Sequence, residues 1–541
     1  MNRLLHTPEG VKDIYDNEYT RKATIEGLIH DVFAAKGYRD IQPPTFEYFD
    51  VFGSNIGTTP SKDLYKFNDS EGDTLVLRPD FTPSIARCAA KYFLEDSKTL
   101  RFTYKGNTFS QTTQLQGKLK ETTQMGIEVI GDSGVATDIE VIMLAIESLK
   151  AAGLKNFKLT LGNIEYYKGL CEELGLDEEI ELTLRDYVTN KNFFGAEAYL
   201  NEINVSDNVI SQILKLDDLI GNVEILDDAK ALVNNSRSLG AITYLKDMYK
   251  ALEDAGLSEY LTFDLSMLNK YKYYTGMVFK AYTYGVGDCI CKGGRYDNLL
   301  SRFGKDAPAV GFVILIDDLM QAMSSGDSKD EYLTIALTKG RLANKTLELL
   351  ESIGITCDEM KDKDTRKLIF VNEELKLRFF LSKGPDVPTY VEYGAADIGV
   401  VGKDTITEED RRVYEVLDLG FGKCRMCVCG PAKAGELLKH HEKIRVCTKY
   451  PNIAKDYFYN VKHQTVELIK LNGSVELGPI VGLGDVIVDI VETGSTLREN
   501  GLEVLEEICP LSCRMIVNQV SMQLQSDRIK ELINRLKSKL S

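Results

Sequence analysis

The chain has 541 residues, 43% apolar and 27% charged, with a formal net charge of −17. That length exceeds one core and suggests about three or four domains; no apolar run approaches a helical membrane span and the start Met1–Gly10 lacks a signal core, so a cytoplasmic protein without a membrane partner is expected. The acidic balance argues against wholesale binding to nucleic acid, and 11 cysteines in so long a chain are not a disulfide scaffold.

Along Arg21–Lys36, Ile25, Leu28, Ile29, Val32 and Phe33 fall at helical spacing, which predicts an amphipathic helix ended by Gly37. Gly37–Glu47, with two prolines, reads as extended. Thr74–Leu77 reads as a strand stopped by proline in Arg78-Pro79-Asp80-Phe81-Thr82, ahead of a helix over Ser84–Phe93. Leu100–Phe109 and Glu121–Gly131 read as two strands joined by a polar loop. Residues 165–255 are helical and polar; then come Tyr271–Phe279, Gly293-Gly294-Arg295-Tyr296-Asp297, and Ala309–Phe312 leading into a helix.

In this order the pieces resemble the catalytic core of histidyl-tRNA synthetase over residues 5–320. The resemblance implies an α+β class II synthetase-like domain on an antiparallel sheet over 1–323, with a helical insertion at 165–255. It departs where the synthetase needs arginine. Phe109 is followed by Ser110-Gln111-Thr112-Thr113, the helix after Gly311-Phe312 carries Asp317-Asp318, and Asn269-Lys270-Tyr271 precedes the paired tyrosines. Neutral or acidic groups in place of cations remove the charge stabilisation of an adenylate-forming transition state, so activation chemistry is expected to be lost.

The resemblance retains the residues that surround histidine in the synthetase: Asp80, Thr82, Gln124, Glu128, Tyr273 and Tyr274. Carboxylates with a hydroxyl suit an α-ammonium, and Glu or Tyr suits imidazole nitrogens. This half therefore resembles the regulatory subunit of short-form ATP phosphoribosyltransferases, which implies L-histidine as a feedback inhibitor; a fold-retaining relic without ligand is the alternative. The polar connector 324–330 stands where an anticodon-binding domain would begin, so no tRNA partner is expected.

From Tyr332 the pattern is α/β. Leu333–Leu337 is a strand, Thr338-Lys339-Gly340-Arg341-Leu342 a turn, and Ala343–Ile353 a helix; Lys339 and Arg341 suit an anion clamp as readily as plain surface charge. Lys367–Val371 follows Arg366, Leu377–Leu381 leads to Lys383-Gly384-Pro385-Asp386, and Asp397–Asp404 is a strand and turn. Two lobes are expected, at 331–425 and 426–510, with a basic turn at Lys449 and a tail that crosses back or docks as the helix Asp527–Leu540. Cys424, Cys427 and Cys429 lie in a strand-like run without a second ligand pair and read as thiols, and His440-His441-Glu442 reads as a solvated helix end.

Val486–Val491 is short, apolar and β-branched, hence a buried strand, with Asp489 and Glu492 near its end. Thr493-Gly494-Ser495-Thr496 then opens a helix expected over Leu497–Leu505, and its N–H groups and hydroxyls suit a phosphate; an ordinary capped connection is the alternative. The run Asp489–Leu502 resembles the phosphoribosyl-diphosphate (PRPP) motif of ATP phosphoribosyltransferase, with Glu476 at the family's upstream spacing, and the resemblance covers 331–541.

It implies a short-form catalytic domain of two α/β lobes of periplasmic-binding-protein type that joins N1 of ATP to C1 of PRPP in the first step of histidine biosynthesis. Thr493, Gly494, Ser495 and Thr496 would hold the 5-phosphate, Asp489 and Glu476 the ribose hydroxyls with Glu492 beside them, and Mg²⁺ the diphosphate. Lys339, Arg341, Arg366, Lys383 and Lys449 would face phosphates of either substrate. A homo-oligomer is implied, a tetramer by analogy. The competing reading is a non-catalytic small-ligand-binding protein on a synthetase-like scaffold.

Overall fold

Ile25, Ile29 and Phe33 are the buried face of the helix Asp16–Ala35, and Gly37, at φ +81°, lets the chain turn out of it. The computed structural model describes residues 3–53, 59–93, 95, 98–111, 116–268, 274–325, 331–361, 367–439 and 443–540. The chain forms two compact units, Met1–Lys329 and Asp330–Ser541. Among the described residues no helix is long and apolar enough to cross a membrane.

In the first unit, nine strands of the described residues form one sheet, in the order Arg39–Asp40, Leu100–Phe109, Glu121–Ile130, Ala309–Leu315, Cys291–Arg295, Met277–Thr283, Phe157–Asn163, Leu261–Asp264 and Ile220–Gly221. Its centre is antiparallel; Arg39–Asp40 and Leu261–Asp264 join in parallel. Strand Glu121–Ile130 has a covered face on each side. Met125, Ile127 and Val129 pack in one core with Ile25, Phe33, Val141 and Leu144, while Ile130 packs with Phe81, Ile85, Tyr104 and Tyr296 in another. The two-residue period therefore turns Gln124 and Glu128 toward the second core.

Between Phe157–Asn163 and Leu261–Asp264 the chain runs through the helices from Ile164–Glu173 to Ser236–Asp254. Side chains of Asn163, Asp177, Asn192 and Asn235 cap four of them. Lys191, buried between two of these helices, ties the insertion to the sheet by donating to both carboxylate oxygens of Asp264 at 2.7 Å and to Ser266.

The second unit contains two sheets. One has the order Ile369–Asn372, Leu377–Ser382, Leu333–Thr338, Ile398–Gly402, Cys513–Val517 and Tyr414–Asp418; the other Val466–Lys470, Ile444–Thr448, Val486–Val491, Cys424–Gly430 and Glu503–Leu511. The chain passes between them at residues 419–423 and again at Ser512, and these crossings bond to each other through Leu419 N–H to the Cys513 carbonyl and Cys513 N–H to the Phe421 carbonyl, both at 2.9 Å. Gly420 and Gly422 take φ +72° and +67° there. The second lobe thus starts at Cys424. The tail both crosses back, as Cys513–Val517, and docks as the helix Ser526–Leu540.

One expected element is corrected. The helix expected over Leu497–Leu505 is only Ser495–Glu499, and Glu503–Leu511 is a strand. Gly501, at φ +69°, breaks the helix, Leu502 N–H returns to the Leu497 carbonyl at 2.9 Å, and the two leucines pack together, a C-terminal motif that outweighs helix propensity.

Candidate active site and candidate ligand site

In the second lobe, Ile444–Thr448 and Val486–Val491 run parallel with Thr448 beside Val488, so Lys449, just past the end of one strand, follows the same register toward Asp489 within the other. Burial lifts the Asp489 carboxyl to about 6; the Ile490 N–H and Lys449 oppose the rise, while Glu476 and Asp404 add to it. These groups therefore share one electrostatic neighbourhood. Asp404 opens the helix Lys403–Glu409 of the first lobe, and its carboxylate accepts a bond from the Tyr450 hydroxyl at 3.3 Å.

After Val491 the chain enters the turn Thr493–Thr496. Gly494 sits at φ +72°, ψ 10°, the left-handed region that a side chain resists. The Thr493 and Ser495 hydroxyl oxygens lie 3.1 Å apart, and Thr493, Ser495 and Thr496 are exposed. A loop of N–H groups and hydroxyls opening toward solvent is suited to an anion.

In the first lobe, Leu333–Thr338 and Leu377–Ser382 are parallel with Thr338 beside Ser382, which brings the exposed Lys339 and Lys383 together at adjacent strand ends. Arg341 reaches across to the second lobe, where its guanidinium bonds the Glu492 carboxylate at 3.0 Å and holds that carboxyl below its usual range. Arg366 lies outside the described residues. Basic groups of both lobes thus meet the acidic strand end of Val486–Val491 at the carboxyl ends of parallel strands, the usual ligand position in open α/β sheets.

In the first unit, the carboxyl of Glu128 is enclosed. The Thr82 hydroxyl donates to Oε1 at 2.6 Å and the Tyr296 hydroxyl to Oε2, while Asp80 accepts the Thr82 N–H at 3.1 Å. Burial pushes Glu128 to about 8, against the two hydroxyl bonds and with Asp80 adding to the rise. Gly311 makes the room, since a Cβ there would lie 1.9 Å from Glu128 Oε2. Gln124 is buried on the same strand face, and Tyr274 borders the second core. Tyr273 lies outside the described residues, as do Asn269-Lys270-Tyr271, Thr112-Thr113 and His440-His441-Glu442. Where the synthetase pattern expects arginine, Asp317 accepts the Thr123 N–H at 2.6 Å and pairs with Lys22 at 3.6 Å.

A family model described as ATP phosphoribosyltransferase matches residues 383–538, and one described as histidyl-tRNA synthetase matches residues 10–319. The ATP phosphoribosyltransferase of Lachnoclostridium phytofermentans is 76% identical over 211 residues, 39% of this chain and 98% of that protein. The chain belongs to the ATP phosphoribosyltransferase family. Its other half belongs with the regulatory subunits: the ATP phosphoribosyltransferase regulatory subunit of Acetivibrio thermocellus is 41% identical over 319 residues, 59% of this chain and 76% of the relative. A solved regulatory subunit/histidyl-tRNA synthetase from Bacillus halodurans matches with a TM-score of 0.56 at 30% identity, over 70% of this chain and 99% of its own. This ATP phosphoribosyltransferase is therefore a fusion of catalytic and regulatory halves.

Three residues of these sites escaped the sequence reading. Tyr104, buried and stacked on Phe81 at 4.6 Å, has its hydroxyl held protonated by burial and by Glu128 and Asp80. Tyr296 and Asp404 were visible only as members of the runs Gly293–Asp297 and Asp397–Asp404. The position of Tyr296 just after Gly293-Gly294-Arg295 is the sequence signal that could have added it to Asp80, Thr82 and Glu128.

Proposed function

We infer that the chain joins ATP to PRPP, releasing diphosphate, in the first step of L-histidine biosynthesis, and that its synthetase-like half senses L-histidine as a feedback inhibitor. The observation that carries the catalytic reading is the strand Val486–Val491, which holds Asp489 within the field of Lys449 and runs on through Glu492 into the Thr493–Thr496 turn.

In this reading the turn holds the 5-phosphate, and Asp489 and Glu476 accept hydrogen bonds from the ribose hydroxyls. Lys339, Arg341, Arg366, Lys383 and Lys449 face phosphates, and Glu492 is the partner that Arg341 exchanges for one of them. Displacement at C1 passes through an oxocarbenium-like state, so the chain needs to orient ATP N1 behind C1 and steady the departing charge rather than supply a nucleophile. The two lobes and their doubled crossing support a periplasmic-binding-type cleft. Among the described residues no three His, Cys, Asp or Glu side chains gather to hold a metal ion; Mg²⁺ is read as arriving with the diphosphate and neutralising it.

The histidine reading rests on a carboxyl kept from water among hydroxyls, where a cationic ligand would relieve its burial. Asp80, Thr82, Gln124, Glu128, Tyr273 and Tyr274 form the proposed site. Exposed Phe46, Tyr48 and Phe67 on the small three-stranded sheet support self-association, with a tetramer as the proposed state. The cytoplasm is the proposed location.

The test is the ultraviolet absorbance of the N1-ribosylated adenine product in purified chain with ATP, PRPP and Mg²⁺. Absorbance should rise only when both substrates are present. No rise with folded protein would favour a binding protein over a transferase.

A further inference from the structure

The turn that carries Lys449 is fixed from its own lobe by the Thr448 hydroxyl, which donates to the Val488 carbonyl at 2.7 Å and accepts the Tyr450 N–H at 2.8 Å. The helix that follows, Pro451–Asp456, starts with a residue that has no N–H, so Asn452 and Ile453 are its first free donors. Its own N-cap residue, Tyr450, makes no side-chain cap. The cap comes instead from the other lobe. Glu408 accepts the Asn452 N–H at 3.0 Å and the Ile453 N–H at 3.1 Å, and its carbonyl accepts the Asn452 side-chain amide at 2.8 Å. One turn earlier on the same helix, Asp404 accepts the Tyr450 hydroxyl at 3.3 Å.

Tyr450, Asn452 and Ile453, which follow Lys449, are thus held by the helix Lys403–Glu409, while the charge of Lys449 acts on Asp489. A carboxylate at the first N–H groups of a helix also complements its dipole. We propose that Glu408 is a positioning residue of the transferase: from the opposite lobe it fixes the turn that aims Lys449 at the phosphoribosyl site, so that joining the lobes and placing this charge are a single event. The proposal rests on the reading that Lys449 faces a phosphate of PRPP. Glu408 touches no substrate in it.

The test is a double-mutant cycle on the full chain, reading KM for PRPP and kcat, with a thermal melt of each variant. Lys449→Ala should raise KM for PRPP by about tenfold, the worth of one charged hydrogen bond. Glu408→Ala should raise it by a similar or smaller factor, and the double variant should be no worse than Lys449→Ala. Glu408→Gln, which keeps an acceptor oxygen, should recover part of the loss and stands in if the alanine variant does not fold. A Lys449→Ala variant with unchanged KM would remove the underlying reading and the proposal with it. An intact Lys449 effect that multiplies fully with the Glu408 effect, or a Glu408 variant with unchanged KM, would leave Lys449 in place and overturn the role of Glu408.

Discussion

Asp489 is the carboxylate on which the transferase's pH dependence should turn. Burial lifts it to about 6, and in the proposed role only its charged form would accept bonds from two ribose hydroxyls with full strength. Above that point it is ionised and can accept at both oxygens; below it the proton removes the charge and turns one oxygen into a donor. kcat/KM for PRPP is therefore expected to fall as pH drops through about 6. Asp489→Asn should lose about 10- to 100-fold and show no such acid limb. A wild-type profile that stays level below that point would remove Asp489 from the role. Glu128 makes the opposite kind of statement. Its folded value of about 8 lies above the ordinary 4.5, so the folded unit binds a proton that the unfolded chain gives up. The contribution of Glu128 to the stability of the first unit should be fully present below about 4.5 and be lost as pH rises to about 8, by a few kcal/mol. Calorimetry of Glu128→Gln should show the decline removed; an unchanged slope would assign it elsewhere.

At the scale of elements, the buried tie between the helical insertion and the sheet is the contact with most at stake. Lys191→Met would take the ammonium from the buried Asp264 carboxylate and leave it the Ser266 N–H and hydroxyl bonds, and should cost about 3–5 kcal/mol of first-unit stability. Adding Asp264→Leu should recover most of it. A single variant that melts like the parent would mean that solvent reaches Asp264. The same scale shows what a sequence makes legible. Strands such as Leu100–Phe109 and Val486–Val491 announce themselves by alternation or by a β-branched run, and the carboxylates at their ends can be named with them. Tyr104 cannot, because a tyrosine in a buried strand has the pattern of any core aromatic until pairing with Glu121–Ile130 brings its hydroxyl near Glu128. Asp404 and Arg341 are similar: each meets its partner, Tyr450 or Glu492, only through the joining of two lobes. The helix end at Gly501 was open to reading, since Asn500-Gly501 is a helix-stop pair, but the apolar run after it continued the helical pattern.

At the scale of the molecule, one chain holds the catalytic half and the half that carries the candidate histidine site. Fusion fixes their ratio at one to one and their local concentration at a high value, whatever the protein's abundance. Feedback then requires only that histidine favour a less active arrangement, by about 1–3 kcal/mol, a 5- to 150-fold effect on equilibrium. Histidine sensing by the fused half is tested by product formation from ATP and PRPP, followed with increasing L-histidine, in the parent chain and in Glu128→Ala side by side. Histidine should suppress turnover in the parent, and the variant should keep uninhibited turnover while losing the suppression. Turnover indifferent to histidine in the parent, or equal suppression in both proteins, would contradict it.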